Sequence, residues 1–150
     1  MNSLQKLLDL DFAYLETFTR RIEMLEKCEK YKLDQKLISA LKKETLIAGI
    51  SAGAICWFKS GIRSNYQGEG YIESPGWNII NKTFCPHYNQ EDRARAFHLL
   101  LQKSKGNENA IALEDDCALY ITDACELIGE PSRSWEFQVK NGELTKRNFI

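Results

Sequence analysis

Two periods of hydrophobic spacing divide the chain. From Ile22 the apolar positions Ile22, Leu25, Cys28 and Leu33, then Leu37, Ile38 and Leu41, recur at helical intervals with charges between them. One apolar stripe every 3.6 residues marks an amphipathic helix, and the pattern predicts two of them. Lys42-Lys43 places cations at the end of the second, where the macrodipole favours them. Upstream, helical spacing is interrupted near Asp11-Phe12-Ala13-Tyr14-Leu15, where aromatic content permits a short strand. Thr45 to Ile50 then forms a continuous apolar run with β-branched members, which predicts a strand covered on both faces, as in a parallel sheet between helices. Residues 59–81, rich in Gly, Ser, Asn and Tyr with little periodicity, read as a long loop.

The second half changes period. Glu91 to Lys103 predicts a helix with Ala94, Phe97, Leu100 and Leu101 on one face and Gly106 beyond its end. Ile111–Leu113, Ala118–Thr122, Glu126–Ile128 and Trp135–Val139 are short apolar or alternating runs that predict strands, and Asn141-Gly142 marks a type I′ hairpin turn. Helices alternating with a buried strand predict an α/β architecture. Without internal repeats or a composition break, residues 1–150 read as a single domain.

Composition narrows the possible partners. The chain has 150 residues, 43% hydrophobic and 27% charged, with 20 Lys+Arg against 21 Asp+Glu and a formal charge of −1. A chain of this size buries enough surface to fold without disulfides or metals. The absence of a basic block argues against nucleic acid or an anionic membrane as partner. The apolar stretch Thr45–Phe58 is shorter than the ~20 residues a membrane helix needs. Met1–Leu10 carries Lys6 and Asp9 and lacks the pattern of a signal peptide, so a cytoplasmic location is predicted. Five cysteines without C-x-x-C spacing predict reduced, mostly buried thiols and neither zinc nor any other cofactor.

Candidate chemistry centres on Gly49-Ile50-Ser51-Ala52-Gly53, a G-x-S-x-G sequence between the buried strand and Ala54-Ile55-Cys56-Trp57-Phe58, which begins a helix. That context makes it a nucleophile elbow, in which a tight turn lifts the serine hydroxyl off the sheet edge. The N–H of Ala52 and the positive end of the following helix favour a developing oxyanion there. A serine hydroxyl needs a general base, and the chain has two histidines. His87, in Phe84-Cys85-Pro86-His87-Tyr88-Asn89, follows a short predicted strand. His98 sits inside a predicted helix, where a packed or surface histidine is the simpler account.

These residues resemble the dipeptidase E family of serine peptidases, which also includes cyanophycinases. Ala48–Phe58 is similar to that family's nucleophile segment, Cys85-Pro86-His87-Tyr88 to its histidine segment, Arg93–Leu100 to the helix after the histidine, and Ile111-Ala112-Leu113-Glu114-Asp115-Asp116 to its later strands. The resemblance covers the chain from about Arg20 onward. It implies a three-layer α/β/α, mostly parallel sheet of the class I glutamine amidotransferase-like (flavodoxin-like) type, N-terminally shortened, with short antiparallel strands at the C-terminus. It also implies Ser51 as nucleophile, His87 as general base, and hydrolysis of short peptides through an acyl-enzyme.

Three departures from the family pattern bear on activity. Members carry further strands and helices before the segment matched by Phe12–Leu15, so the resemblance implies a shortened sheet with exposed edges, which favours self-association or a partner chain. Where the family has a Gly-Gly-Gly-Asn-like loop, this chain has Glu16-Thr17-Phe18-Thr19, which removes oxyanion donors worth about 10²–10³ in rate each. The family's aspartates after the nucleophile helix and after His-Tyr are replaced by the stretch Gly61-Ile62-Arg63-Ser64-Asn65 and by Asn89; Glu69 or Glu73 could substitute from the loop, although a solvated loop carboxylate is the simpler account of each. Arg63 lies near the elbow in sequence, where it reads either as a solvated loop arginine, the favoured account, or as a partner for a substrate carboxylate. The alternative reading is a truncated, catalytically impaired member, either a remnant or a partner-dependent chain. An α/β-hydrolase esterase is disfavoured because no histidine follows His98, and a thiol amidase because the elbow carries Ser51 while Cys56 falls on the helix's buried face.

Overall fold

In the computed structural model, which describes residues 12–15, 28–43, 45–65, 67–104, 106–122 and 124–149, strands and helices alternate from the start. β1 (Phe12–Leu15) is followed by α1 (Leu33–Leu41), β2 (Leu46–Gly49), the single turn α2 (Ala52–Ile55) and β3 (Phe58–Ser64). Next come β4 (Tyr71–Pro75), β5 (Ile80–Cys85), α3 (Glu91–Gln102) and β6 (Glu108–Leu113). β7 (Ala118–Ile121), β8 (Cys125–Ile128), β9 (Ser134–Lys140) and β10 (Glu143–Asn148) complete the chain. Six strands form one mixed sheet in the order β10-β9-β6-β5-β3-β4. Its centre is parallel, β3 with β5 and β5 with β6, and antiparallel strands flank it on both sides. β1 and β2 form a separate parallel pair, and β7 and β8 an antiparallel one.

Burial explains the layering. Along β6, Ala110, Ile111, Ala112 and Leu113 are all buried, and strand geometry sends alternate residues to opposite faces. Ala110 and Ala112 join Ile62, Cys85, Phe137 and Val139 under Phe97 and Leu101 of α3. Phe97 meets Phe137 edge-on with ring centroids 5.5 Å apart. Ile111 and Leu113 face the other way, packing with Ile55 of α2, Phe58, Phe84 and Phe149, beneath Leu119 and Leu127 of the β7–β8 hairpin. The start of α3 is tied to the sheet by the buried Arg93. Its Nε donates to Gln90 Oε1 at 3.0 Å, an Nη donates to the Ile62 carbonyl at 3.3 Å, and its guanidinium lies 4.7 Å from the centre of the Tyr71 ring.

The α/β class, the strand at Phe12–Leu15, the helix from Glu91, the C-terminal strands and the Asn141-Gly142 turn agree with the sequence reading. Positive φ at both turn residues, 53° and 81°, is what a type I′ turn requires. Two expectations are corrected. Residues 59–81 are not one long loop, because they contain β3 and β4 as an antiparallel pair. Polar residues in β3 are buried within the sheet, Ser60 Oγ lying 3.2 Å from Thr83 Oγ1. β2 is not covered on both faces either. Leu46 and Ile50 are 51% and 50% exposed, and among the described residues its strand neighbour is β1 alone. The first of the two predicted N-terminal helices falls largely outside the described residues. Cys28, Cys56 and Cys85 are buried thiols, Cys117 and Cys125 half-buried ones. Among the described residues no helix is long and apolar enough to cross a membrane.

Candidate active site

The turn after β2 is built by close backbone contact. A Cβ on Gly49 would stand 2.6 Å from the Gly53 carbonyl oxygen, so only glycine fits there. Ser51 takes φ 50° and ψ −114°, a conformation that non-glycine residues adopt only under constraint. Gly53 N donates to the Ile50 carbonyl at 2.8 Å and Ile55 N to the Ser51 carbonyl at 3.1 Å, which closes the turn around the serine. The N–H of Ala52 enters none of the hydrogen bonds among the described residues. Because α2 is one turn long, the donor there is that N–H itself, with little macrodipole behind it.

His87 is delivered by β5. Its φ is 54°, a left-handed backbone pinned on both sides: Tyr88 N donates to the Leu113 carbonyl at 2.9 Å, and Gln90 N to the His87 carbonyl at 3.0 Å. The Tyr88 side chain is buried against Phe137 and Trp135, and its hydroxyl lies 2.8 Å from His98 Nε2 while accepting from Lys146 Nζ at 3.0 Å. Burial, followed by the charges of Cys85 and Glu114, pushes the Tyr88 phenol up to about 12, so it stays a donor. Burial and then Lys146 hold His98 below its ordinary value, which suits a neutral acceptor. His98 is thus a packing partner of the histidine loop, as the simpler sequence account has it.

His87 Nδ1 lies 2.5 Å from Asp115 Oδ1, and Asn89 Nδ2 donates to Asp115 Oδ2 at 3.0 Å. The His87 hydrogen bond, then the Asn89 one, hold the Asp115 carboxyl below the usual carboxylate range against a small opposing effect of burial. An ionised carboxylate only accepts, so Nδ1 carries the proton of a neutral ring and Nε2 keeps its lone pair. That is the tautomer a general base needs.

The structure joins His87 to Asp115 rather than to either proposed glutamate. Glu69 lies exposed before β4, Glu73 is exposed on β4 opposite Ile62, and neither is a partner of His87. Asp115 could have been found from topology: β5 and β6 are parallel neighbours, and His87 and Asp115 each stand two residues past their strand ends at Cys85 and Leu113. Among the described residues no hydrogen bond joins Ser51 to His87, and the Ser51 hydroxyl does not cap α2. One guanidinium nitrogen of Arg63 donates to the Ser64 carbonyl at 2.9 Å. Residues 16–19, which stand for the family's glycine loop, lie outside the described residues. Among those described, no cluster of three or more His, Cys, Asp or Glu is arranged to hold a metal ion.

Comparison with known proteins identifies the family. Residues 16–127 match the model of Peptidase family S51, a span that includes Ser51, His87 and Asp115. The uncharacterized peptidase YgaJ of Bacillus subtilis (strain 168) is 34% identical over 114 residues, covering 75% of this chain and 48% of its own length. The chain thus spans about half the length of that curated relative. Among solved structures, a peptidase from an acI-B1 Actinobacterium shares the fold with a TM-score of 0.52 at 18% identity, over 97% of this chain and 62% of its own. With most of its length matched by the family model and the elbow and histidine segments inside the match, the chain belongs to peptidase family S51.

Proposed function

We propose that the protein is a serine-type peptidase that hydrolyses short peptides through an acyl-enzyme. Ser51 Oγ attacks the scissile carbonyl carbon and its proton passes to His87 Nε2. The tetrahedral oxyanion is met by the N–H of Ala52. Collapse breaks the C–N bond and His87 returns the proton to the leaving amine. Water, deprotonated by the same imidazole, then releases the acyl group and restores Ser51. The observation that carries this reading is the His87–Asp115 pair, taken together with the strained backbone of the serine elbow. Catalytic hydrogen bonds commonly form or shorten only once substrate is bound, so this reading does not require a Ser51–His87 hydrogen bond in the free chain.

In this reading residues 1–150 form one peptidase domain of the three-layer, class I glutamine amidotransferase-like type, which the parallel strand centre and α3 on one face support. It works in the cytoplasm on small peptides and its mechanism calls on no cofactor. The half-exposed Leu46 and Ile50 support self-association through the β2 region. A second reading, an impaired or partner-dependent member, is favoured by the lack, among the described residues, of a hydrogen bond between Ser51 and His87. A serine-directed fluorophosphonate probe separates the two. Labelling of the wild type that vanishes in Ser51→Ala and falls at least tenfold in His87→Ala supports the active enzyme. Absence of wild-type labelling, or labelling that persists in Ser51→Ala, overturns it.

A further inference from the structure

We infer that Asn89 is a positioning residue whose oriented amide makes the site accept a carboxylate, and reject a carboxamide, at position 115. The orientation of that amide is fixed by the chain itself. Asp115 N donates to Asn89 Oδ1 at 3.2 Å, and a backbone N–H can be met only by the oxygen. Nδ2 is therefore the atom that faces Asp115 Oδ2, at 3.0 Å, and it demands an acceptor there. Asp115 satisfies two donors with two equivalent oxygens, Nδ2 of Asn89 on one and Nδ1 of His87 on the other.

A carboxamide has one oxygen. In Asp115→Asn the Asn89 donor claims it, and the new NH₂ turns to His87, which must then accept at Nδ1 and carry its proton on Nε2. The imidazole is left in the form that cannot take a proton from Ser51. The catalytic part of this inference rests on the peptidase reading, whereas the tautomer part does not.

The test is the ¹⁵N chemical shifts of the His87 ring, read together with turnover of short peptides. Wild type should show the Nδ1–H form and Asp115→Asn the Nε2–H form, with turnover down about 10⁴-fold, the scale of the equivalent change in a well-studied serine protease. Combining Asp115→Asn with Asn89→Asp exchanges the two groups at constant shape. The carboxylate at 89 accepts from the carboxamide at 115, whose oxygen turns back to His87, so the Nδ1–H form returns and turnover recovers at least tenfold over Asp115→Asn. Combining Asp115→Asn with Asn89→Ala also frees the carboxamide and should restore the Nδ1–H form, which guards against a folding defect peculiar to the exchange. If Asp115→Asn keeps the Nδ1–H form, or if neither double variant restores it, the inference is overturned. If the tautomers follow this pattern while wild type hydrolyses nothing, the positioning role stands and the peptidase reading falls.

Discussion

Asp115 holds its charge at the molecular surface because its neighbours, not burial, favour the ionised form. The His87 hydrogen bond is the larger cause and the Asn89 bond the next, with the charge of Arg133, and that of the His87 ring once protonated, adding to both. A carboxyl whose folded-state pKa lies below the unfolded one, about 3.9, contributes stability above that unfolded value and loses it as pH falls through the folded value. The pair therefore survives throughout the neutral range and comes apart only in acid stronger than an ordinary carboxylate tolerates. Removing the ring in His87→Ala should move the Asp115 titration upward toward the ordinary value, measured from its carboxyl ¹³C shift. A midpoint that stays put would mean that His87 is not the main cause. Ser51 illustrates the opposite economy, a residue held in an unfavourable backbone conformation by the turn around it.

At the scale of elements, the elbow depends on how closely β2 approaches α2. Gly49→Ala drives a methyl group into the Gly53 carbonyl, where no flexible side chain gives way. Overpacking of this kind costs about 1–3 kcal/mol, which for a chain of this length lowers Tm by several degrees. Thermal unfolding should show that drop, with Ser51 probe labelling reduced in the folded protein; an unchanged Tm would mean that the turn is looser than its contacts imply. The elbow was legible in the sequence because small residues at fixed spacing stood between an apolar run and a helix start. β3 and β4 were not, since their composition is that of a loop. In the sheet, Ser60, Thr83, Glu108 and Lys59 satisfy one another, Thr83 Oγ1 donating to Glu108 Oε1 at 2.9 Å and Lys59 Nζ to Oε2 at 2.5 Å. Hydropathy patterns record apolar burial and miss strands whose polar groups are paired in this way.

The whole molecule is arranged around β3, β5, β6 and β9, which are flanked on both sides within one sheet, whereas among the described residues β1–β2 and β7–β8 are two-stranded pairs. Isolated pairs open more readily than sheet interiors, so amide hydrogen exchange should be slowest in β5 and β6 and faster by orders of magnitude in β2, β7 and β8. Equal protection across all of them would contradict this arrangement. The same topology explains why Asp115 escaped the sequence reading: it lies 28 positions from His87, and only the parallel pairing of β5 with β6 brings the two to one rim. Ser51 is placed differently. It follows β2, which is hydrogen-bonded to β1 and, among the described residues, not to the six-stranded sheet that carries His87 and Asp115. α2 packs against both β2 and β3 and links the two bodies, with Ile55 as its anchor in the main core. If the proposed mechanism holds, reactivity becomes a matter of alignment between two platforms, and a small slide at their seam would part the serine from an imidazole and carboxylate that stay coupled.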